Sequence, residues 1–506
     1  MTAGGDKAAA GSSAVPVGGH EQSSADTHRA IRNAGILTVS LLGTWSVALA
    51  VRLLLPRLLG PTAFGALHFA DYFAQGFLIV TALGVDTYIR KEVATRPGHA
   101  SDFFGGVLVL RLLMGVALSG LMLLVLYVTG RGPEMKTLAL LYAAAHFLLT
   151  LNHSLGALLQ ARGTVTGLAV VNVVTKAGWG ASVIAGLMVG APLWIVPAAF
   201  IAAELAKTFA LSVLSRRHLS LRLSFDRTAT TAVMVASLPF FLNILAQTLY
   251  DKIDVSMIGI LAGNTEAGYY GAATILTASA LMLTPIISSV LLPHSSLAAA
   301  RSPEDLQEVM EGALRVTLTI ILPVAFLLIL GADIWVEFLF GTEFAPSVTA
   351  LQVRATSLVL TYLATLSAIH LFQLGRLWTV TLISLAALVF NPTMNYFLIQ
   401  VGMRHLGAGG AGSGAAIASL CSEVMVVSLM QLAAGRRSIV RTTAGRILRS
   451  ATALVGLVCL FLVLEPLGPF RLLACAAAWI PLSIVTRAIN TDDISVFISA
   501  VFKRGR

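Results

Sequence analysis

Long apolar runs dominate this chain, and they constrain its fold more than any other feature. An α-helix rises 1.5 Å per residue, so about 20 apolar residues cross the ~30 Å hydrocarbon core of a bilayer. A helix in lipid satisfies its own backbone hydrogen bonds, and the runs therefore predict an all-α integral membrane protein with fourteen transmembrane helices. The predicted spans are 33–56, 64–89, 103–129, 137–160, 165–190, 192–214, 233–261, 267–293, 312–332, 347–373, 377–400, 408–434, 447–465 and 469–488.

Composition and charge agree with a lipid environment. Of 506 residues, 57% are hydrophobic and 11% are charged, whereas about 25% of a soluble domain is charged. Most basic residues near span ends fall on the side of both termini, which the positive-inside rule places in the cytoplasm. The net charge of +10 then needs no nucleic-acid partner. Residues 1–28 are expected to form a disordered cytoplasmic tail, and residues 491–506 a second cytoplasmic tail.

An internal repeat predicts two similar halves. Residues 60–70 and 263–273 both fit the pattern GxTxxGx4A, at an offset of 263 − 60 = 203 positions. Six spans per unit give the two units the same orientation in the membrane, as in parallel-repeat transporters. We expect an N-terminal six-helix lobe at 29–228, a C-terminal six-helix lobe at 229–440, and helices 13 and 14 at 441–490. Substrate is expected to bind between the two lobes.

Polar residues inside the spans mark the candidate substrate site, because charged groups are costly in lipid unless a cavity or a partner surrounds them. In span seven, four polar residues recur at one helical face. Spans one, two and eight add further polar groups near the repeat motif. A helix-pinning pair of Arg52 with Asp71 or Asp251 is the alternative to a water-filled cleft. The candidates are Arg52, Asp71, Gln75, Asn243, Gln247, Asp251, Asp254, Tyr270 and Thr274.

The other intramembrane charges are expected to have structural roles. Glu204 and Glu423 are predicted to hydrogen-bond to neighbouring helices. Long basic side chains near span ends reach the membrane surface readily. We expect that behaviour of Arg111, Lys176, Lys207, Arg315 and Arg354.

Enzyme motifs do not provide an alternative function. Residues 407–412 fit GxGxxG, but they open a predicted membrane span and follow no strand, which the dinucleotide-binding motif requires. No HExxH, GxSxG or Walker A motif occurs. We therefore expect a transporter without a cofactor, not an enzyme.

Several short motifs, in the right order along the chain, resemble bacterial polysaccharide flippases of the O-antigen type. Each motif is loose, but together they cover almost the whole membrane region, from about residue 33 to 435. They are 57–65, 83–86, 90–92, 238–240, 250–254, 268–270, 272–273, 340–344 and 412–416.

This resemblance implies the V-shaped fold of the multidrug/oligosaccharidyl-lipid/polysaccharide (MOP) exporters, which also include the MATE transporters. It implies a flippase of the bacterial cytoplasmic (inner) membrane that moves undecaprenyl-pyrophosphate-linked oligosaccharide to the outer leaflet. Arg52 is then the first candidate for the pyrophosphate, followed by Arg90 and Arg57. The acids Asp71, Asp251 and Asp254 depart from the strongly cationic cavity of that family. They would bind a coupling ion, either a proton or sodium, pair with Arg52, or favour a less anionic substrate.

The resemblance also implies partners and leaves alternatives open. Membrane lipids and the polymerase or glycosyltransferases of the same pathway are the implied partners. A MATE-like multidrug exporter and a peptidoglycan lipid-precursor flippase share the fold. A membrane glycan polymerase would need a large outer loop, and no loop between the predicted spans is long enough for one.

Overall fold

The computed structural model describes residues 19–93, 96, 100–219 and 226–487, and every regular element within them is helical. The all-α prediction is confirmed. The helices are α1 (Gly19–Leu78), α2 (Val85–Tyr88), α3 (Ala100–Val128), α4 (Pro133–Ala161), α5 (Val165–Met188), α6 (Ile195–Leu219), α7 (Arg227–Ala262), α8 (Asn264–Leu281), α9 (Thr284–Arg301), α10 (Pro303–Leu330), α11 (Ala332–Phe340), α12 (Ser347–Gln373), α13 (Leu377–His405), α14 (Gly410–Ala434), α15 (Ile439–Val463) and α16 (Arg471–Val485).

The helices identify a multi-pass membrane protein. Within the described ranges, eleven helical segments are long and apolar enough to cross a membrane, or thirteen when two bent pairs each count as one span. The first segment, Gly35–Ala82, has 48 residues, more than twice the ~20 that one crossing requires. It is kinked at Gly60, where φ is 71°. We term the stretches before and after Gly60 the first and second parts of α1; the total of fourteen spans stays a prediction.

The second predicted span ends as a regular helix earlier than hydropathy indicated, at Leu78. Leu83 and Gly84 then adopt left-handed backbone conformations, with φ of 54° and 67°. A Cβ atom on Gly84 would collide with the backbone of Ser237 and Phe241 in α7. Glycine is therefore required at this close approach of two backbones, which hydropathy does not record.

The outer surface of the helix bundle is apolar, as a lipid-facing surface must be. On α3, for example, Leu113 is 64% exposed and Val116 is 68% exposed. Soluble proteins rarely expose apolar patches of this extent. The packed interior is concentrated where the second part of α1 meets α8, α11 and the start of α14.

The helices pack as two groups with an appended pair. In the N-terminal half, α4 and α5 pack against α1, and α6 packs against α4 and α5, while in the C-terminal half α12 packs against α8, α10 and α14, and α13 packs against α14. Helices α15 and α16 pack against each other and against α10. The arrangement matches two lobes with two additional helices; the residue numbers of the lobe boundaries stay a prediction.

The repeat motif lies where the two halves meet. The hydroxyl oxygens of Thr62 and Thr265 are 2.9 Å apart and 203 positions apart in the chain. One turn further along each helix, a Cβ atom on Gly65 or Gly268 would collide with the backbone of the opposite helix. Equivalent residues of two repeats contact each other near a two-fold axis. This contact therefore supports the pseudo-symmetric relation that the sequence repeat predicts.

Candidate functional site

A cavity of about 710 Å³ lies mainly within the N-terminal half. Its walls are formed by both parts of α1 and by α4, α5 and α6, and α8 of the C-terminal half closes one side. The short segment after α1, which contains α2, contributes two charged side chains. The wall therefore draws on both halves but unequally, and most of its polar groups belong to the first repeat.

Five of the sequence-predicted residues line this cavity. Arg52 comes from the first part of α1, and two polar residues come from the second part. One further arginine follows α2, and a threonine comes from α8. The five are Arg52, Asp71, Gln75, Arg90 and Thr274.

Two lysines in the wall depart from their expected snorkelling role. Lys176 of α5 and Lys207 of α6 both line the cavity and are half-buried. The Nζ atom of Lys176 lies 3.8 Å from the ring centroid of Trp179, a cation–π contact one turn along the same helix. Sequence reasoning missed both lysines because it considered their distance from span ends. The spacing of Lys176 and Trp179 on one helical face was the available signal.

Among the described side chains, none makes a hydrogen bond or ion pair with the cavity cations Arg52, Arg90, Lys176 or Lys207. Arg52 and Arg90 are moreover exposed within the structure. The predicted alternative, in which Arg52 pins helices by pairing with Asp71, is not what the structure shows, because Asp71 pairs with His146 instead. The cavity therefore offers cationic groups that remain available to a ligand.

The acidic side chains of the wall, in contrast, all have partners. The Oδ1 atom of Asp71 lies 2.7 Å from Nε2 of His146. Asn152 donates its amide to Glu204 over 2.7 Å, which confirms the predicted hydrogen bond between Glu204 and a neighbouring helix. Asp86 accepts a hydrogen bond from the Ser154 hydroxyl.

Arg111 lies beside Asp86 and Ser154 in the interior of the bundle. The prediction that its side chain reaches the membrane surface is therefore wrong. Its side chain is fully buried, and Nη2 lies 3.6 Å from Asp86. It donates hydrogen bonds of 2.7 Å to Ser154 and 2.9 Å to the carbonyl of Ala82. An arginine two turns from a span end can reach the surface only if no internal acceptor competes. Here three internal groups compete for it.

The polar residues of the second repeat form a closed network. Asp254 is 4% exposed, and its carboxylate accepts hydrogen bonds from Tyr270 at 2.7 Å, Asn395 at 2.7 Å and Ser419 at 2.6 Å. Arg354 lies 3.6 Å from the same carboxylate and donates to the Tyr270 hydroxyl over 2.5 Å. These five side chains from α7, α8, α12, α13 and α14, termed the Asp254 network, compensate one another.

Four of the remaining predicted residues lie away from the cavity. Asp254 and Tyr270 belong to the closed network, and Gln247 does not line the cavity wall. Arg57 donates a 3.0 Å hydrogen bond to the carbonyl of Phe338, outside the cavity. Their substrate-binding roles stay predictions. The side chains of Asn243 and Asp251 lie outside the part of the chain that the structure describes.

The two halves contact each other at both ends of the second part of α1. This part runs from 61 to 78, which at 1.5 Å per residue is about 27 Å. At its start lies the Thr62–Thr265 contact. Beyond its end, Gly84 packs on α7. Between these two contacts, the second part of α1 contributes Asp71 and Gln75 to the cavity wall.

Comparisons with known proteins agree with this geometry. A family model described as "Polysaccharide biosynthesis protein" matches residues 54–349, more than half of the chain. No curated protein sequence matches the chain.

Solved structures with a similar fold are transporters of the MOP superfamily. The lipid II flippase MurJ in an inward closed conformation aligns with a TM-score of 0.68 at 13% identity, over 92% of this chain and 99% of that chain. An inward-facing MATE multidrug resistance transporter aligns with a TM-score of 0.59 at 17% identity, over 78% of this chain and 99% of that chain. An outward-facing MATE transporter gives 0.54 at 17% identity, over 81% and 96%. At these identities the likeness establishes the fold.

Proposed function

The chain belongs to the polysaccharide biosynthesis protein family, and on that premise we propose that it is a flippase for lipid-linked oligosaccharide. The cargo is an oligosaccharide on undecaprenyl pyrophosphate, which the protein moves from the inner to the outer leaflet of the bacterial cytoplasmic membrane. Both termini lie in the cytoplasm. The product supplies the synthesis of surface polysaccharide.

The observation that carries this proposal is the charge balance of the cavity. Its acids are engaged by partners, whereas Arg52, Arg90, Lys176 and Lys207 make no hydrogen bond or ion pair with the described side chains. Uncompensated cations in a partly buried site attract an anion, and pyrophosphate accepts charge-assisted hydrogen bonds from both arginine and lysine. A pyrophosphate-linked cargo therefore complements the wall.

The rest of the wall suits a glycan. Trp45 and Trp179 present aromatic surface, and Gln75, Gln160 and Asn172 add amide groups. Sugars offer hydroxyl groups to amides and apolar faces to aromatic rings, so these side chains complement an oligosaccharide. The polyprenyl chain remains in the surrounding lipid, because an apolar chain is stable in the apolar hydrocarbon core.

Two contacts between the halves, at the two ends of the second part of α1, support transport by alternating access. The Thr62–Thr265 contact joins the halves at one end, and the packing of Gly84 on α7 joins them at the other. Two like-oriented halves that separate at one end while remaining joined at the other would expose the cavity to each side in turn. The halves are the rigid bodies, and the glycine contacts are the places where they part.

Two related functions are the alternatives. A multidrug exporter of this fold would be expected to offer acidic groups to cationic drugs, and the wall of this cavity offers cations. A peptidoglycan-precursor flippase carries the same pyrophosphate, so the wall does not separate it from our proposal. The identity of the cargo that accumulates when transport is blocked distinguishes the two.

The proposal is tested in cells with Arg52→Ala. We expect loss of surface glycan and accumulation of its undecaprenyl-linked precursor, at normal protein abundance. Arg404→Ala is the matched control, because Arg404 is exposed and lies outside the cavity. Normal surface glycan in the Arg52→Ala strain would contradict the proposal. Accumulation of lipid-linked peptidoglycan precursor instead would favour the second alternative.

A further inference from the structure

A histidine–carboxylate pair lies on the cavity wall. Nε2 of His146, on α4, is 2.7 Å from Oδ1 of Asp71, on the second part of α1. The His146 side chain is 9% exposed and that of Asp71 is 28% exposed. Both residues line the cavity, so a proton can reach the pair wherever water or cargo reaches the wall.

This pair differs from the other acids of the molecule in the chemistry of its partner. Asp86 is held by Arg111 and Ser154, and Glu204 by an asparagine. None of those partners changes its charge near neutral pH, whereas histidine does. Of the three acids lining the cavity, Asp71 alone is hydrogen-bonded to a histidine among the described side chains.

The Asp254 network cannot serve the same purpose. Both oxygens of Asp254 accept hydrogen bonds from neutral donors, and the guanidinium of Arg354 compensates the charge. Both oxygens of this carboxylate are therefore already engaged, and Asp254 does not line the cavity. A proton site linked to cargo therefore belongs in the first repeat.

Groups from every neighbouring helix face the pair. On its own helix, Asp71 has His68 one turn before it and Tyr72 beside it, and Lys252 of α7 lies 4.0 Å from the Tyr72 ring centroid. Nε2 of His68 is buried without a hydrogen-bond partner among the described groups.

On the other helices, Tyr142 precedes His146 by one turn of α4, and Phe200 of α6 contacts the His146 ring edge-on at 5.9 Å. Two cations, Arg52 of α1 and Lys176 of α5, are close enough to interact electrostatically with Asp71. The pair is thus adjacent to the cations that the proposed function assigns to pyrophosphate.

We propose that Asp71 and His146 form a proton-binding site that is linked to the binding of the anionic cargo, an inference that rests on the proposed function. With neutral His146 the pair carries one negative charge, which repels an anion beside Arg52 and Lys176. One proton makes the pair neutral overall and removes that repulsion. Linkage is reciprocal, so cargo binding also draws a proton into the pair.

The experiment titrates a soluble short-chain probe, farnesyl pyrophosphate, into the full-length protein in nanodiscs between pH 8 and pH 6. We expect wild-type affinity to rise about tenfold more across this range than that of a variant without the pair, the size of effect that one charge has at short range in a partly buried site. Ionisation of the probe contributes equally to every variant and cancels in this comparison.

Two variants are expected to fix the charge of the Asp71–His146 pair in opposite ways. Asp71→Asn removes the negative charge permanently and should bind tightly at both pH values. His146→Gln keeps the negative charge and should bind weakly at both. His294→Gln, outside the cavity on α9, is the matched control and should retain the wild-type pH dependence. Melting temperatures of all variants verify that they are folded.

The outcomes distinguish failure of the proton site from failure of the flippase proposal. A wild-type pH dependence that persists in folded His146→Gln would overturn the proton site while leaving the flippase proposal intact. A wild-type protein that binds no probe at any pH would count against the proposed function and this inference together. Calorimetry in two buffers of different ionisation enthalpy gives an independent readout, since proton uptake on binding should disappear in Asp71→Asn.

Discussion

The two halves of the molecule use intramembrane charge in opposite ways. In the first repeat, Arg52 and Lys176 face a cavity without ion-pair partners among the described side chains. In the second repeat, Arg354 is bound by Tyr270 and lies against Asp254, which is buried. The comparison teaches that duplication preserved the helices and the contact between halves. It did not preserve the use of the polar groups: one half leaves cations facing a cavity, whereas the other pairs its arginine with a buried carboxylate.

The largest effect on stability is expected from disrupting the Asp254 network of the second repeat. Arg354→Met leaves the Asp254 carboxylate buried beside no cation, and removing one partner of a buried pair typically costs about 3–5 kcal/mol. The melting temperature of the purified protein in detergent should fall strongly. Arg52→Met, made in the first repeat, should leave the melting temperature nearly unchanged. Equal stability of the two variants would show that both arginines are in the same situation.

A second substitution identifies why the arginine matters. Adding Asp254→Asn to Arg354→Met removes the uncompensated charge, so the double variant should recover part of the lost stability. Should the two losses simply add, packing of the arginine and not its charge would be the cause.

Equivalent substitutions on the two sides of the contact between the halves should have similar effects, unlike the arginine substitutions. In Gly65→Ala or Gly268→Ala the added methyl group meets backbone that cannot move aside, and overpacking of this kind costs about 1–3 kcal/mol. Cysteines introduced at Thr62 and Thr265, with the native cysteines replaced, report the contact through their disulfide yield. Both alanine variants should lower that yield to a similar degree. A large difference between them would argue against the two-fold relation.

A smaller effect, on binding alone, is expected from a cavity lysine. Lys176→Met retains the contact with Trp179 but removes a charge, and it should weaken farnesyl pyrophosphate binding about tenfold without loss of stability. Lys136→Met is the matched control, because Lys136 also lies over an aromatic ring, 5.0 Å from the Tyr127 centroid, but outside the cavity. Similar losses in both lysine variants would remove the distinction between wall and surface.

The smallest expected effect comes from the hydroxyl pair at the repeat contact. Thr62→Val and Thr265→Val each remove one partner of the 2.9 Å hydrogen bond, which is worth about 0.5–1.5 kcal/mol. A double-mutant cycle on stability should therefore give a coupling energy of about that size. Additive losses would show that the two threonines are neighbours without a mutual interaction.

Much of the fold could be predicted from the sequence, because lipid forces helices and helices follow from apolar runs. The repeat was also readable, since Thr62 and Thr265 occupy matching positions in a short pattern. The end of α1 at Leu78 could not be predicted from the sequence, because it depends on the packing of Gly84 against α7. Such close approaches of distant segments leave no hydropathy signal.

The site could be predicted only in part, for a similar reason. Periodicity showed that Asp254 and Gln247 share a helical face, but it could not show whether a cavity or another helix covers that face. Among the partners of Asp254, Arg354 and Asn395 lie at least 100 positions away in the chain. Arg52 and Asp71 were located more easily, because the resemblance to flippases and their proximity to the repeat motif both indicated the early helices.

The most direct test is flipping by the purified protein in liposomes that contain a fluorescent undecaprenyl-pyrophosphate-linked oligosaccharide. A membrane-impermeant quencher reports how much labelled lipid reaches the outer leaflet. Wild-type protein should translocate the lipid, Arg52→Ala should not, and Arg404→Ala should match wild type. Equal translocation by wild type and Arg52→Ala, or none by wild type, would contradict the assignment of the cavity as the path of the cargo.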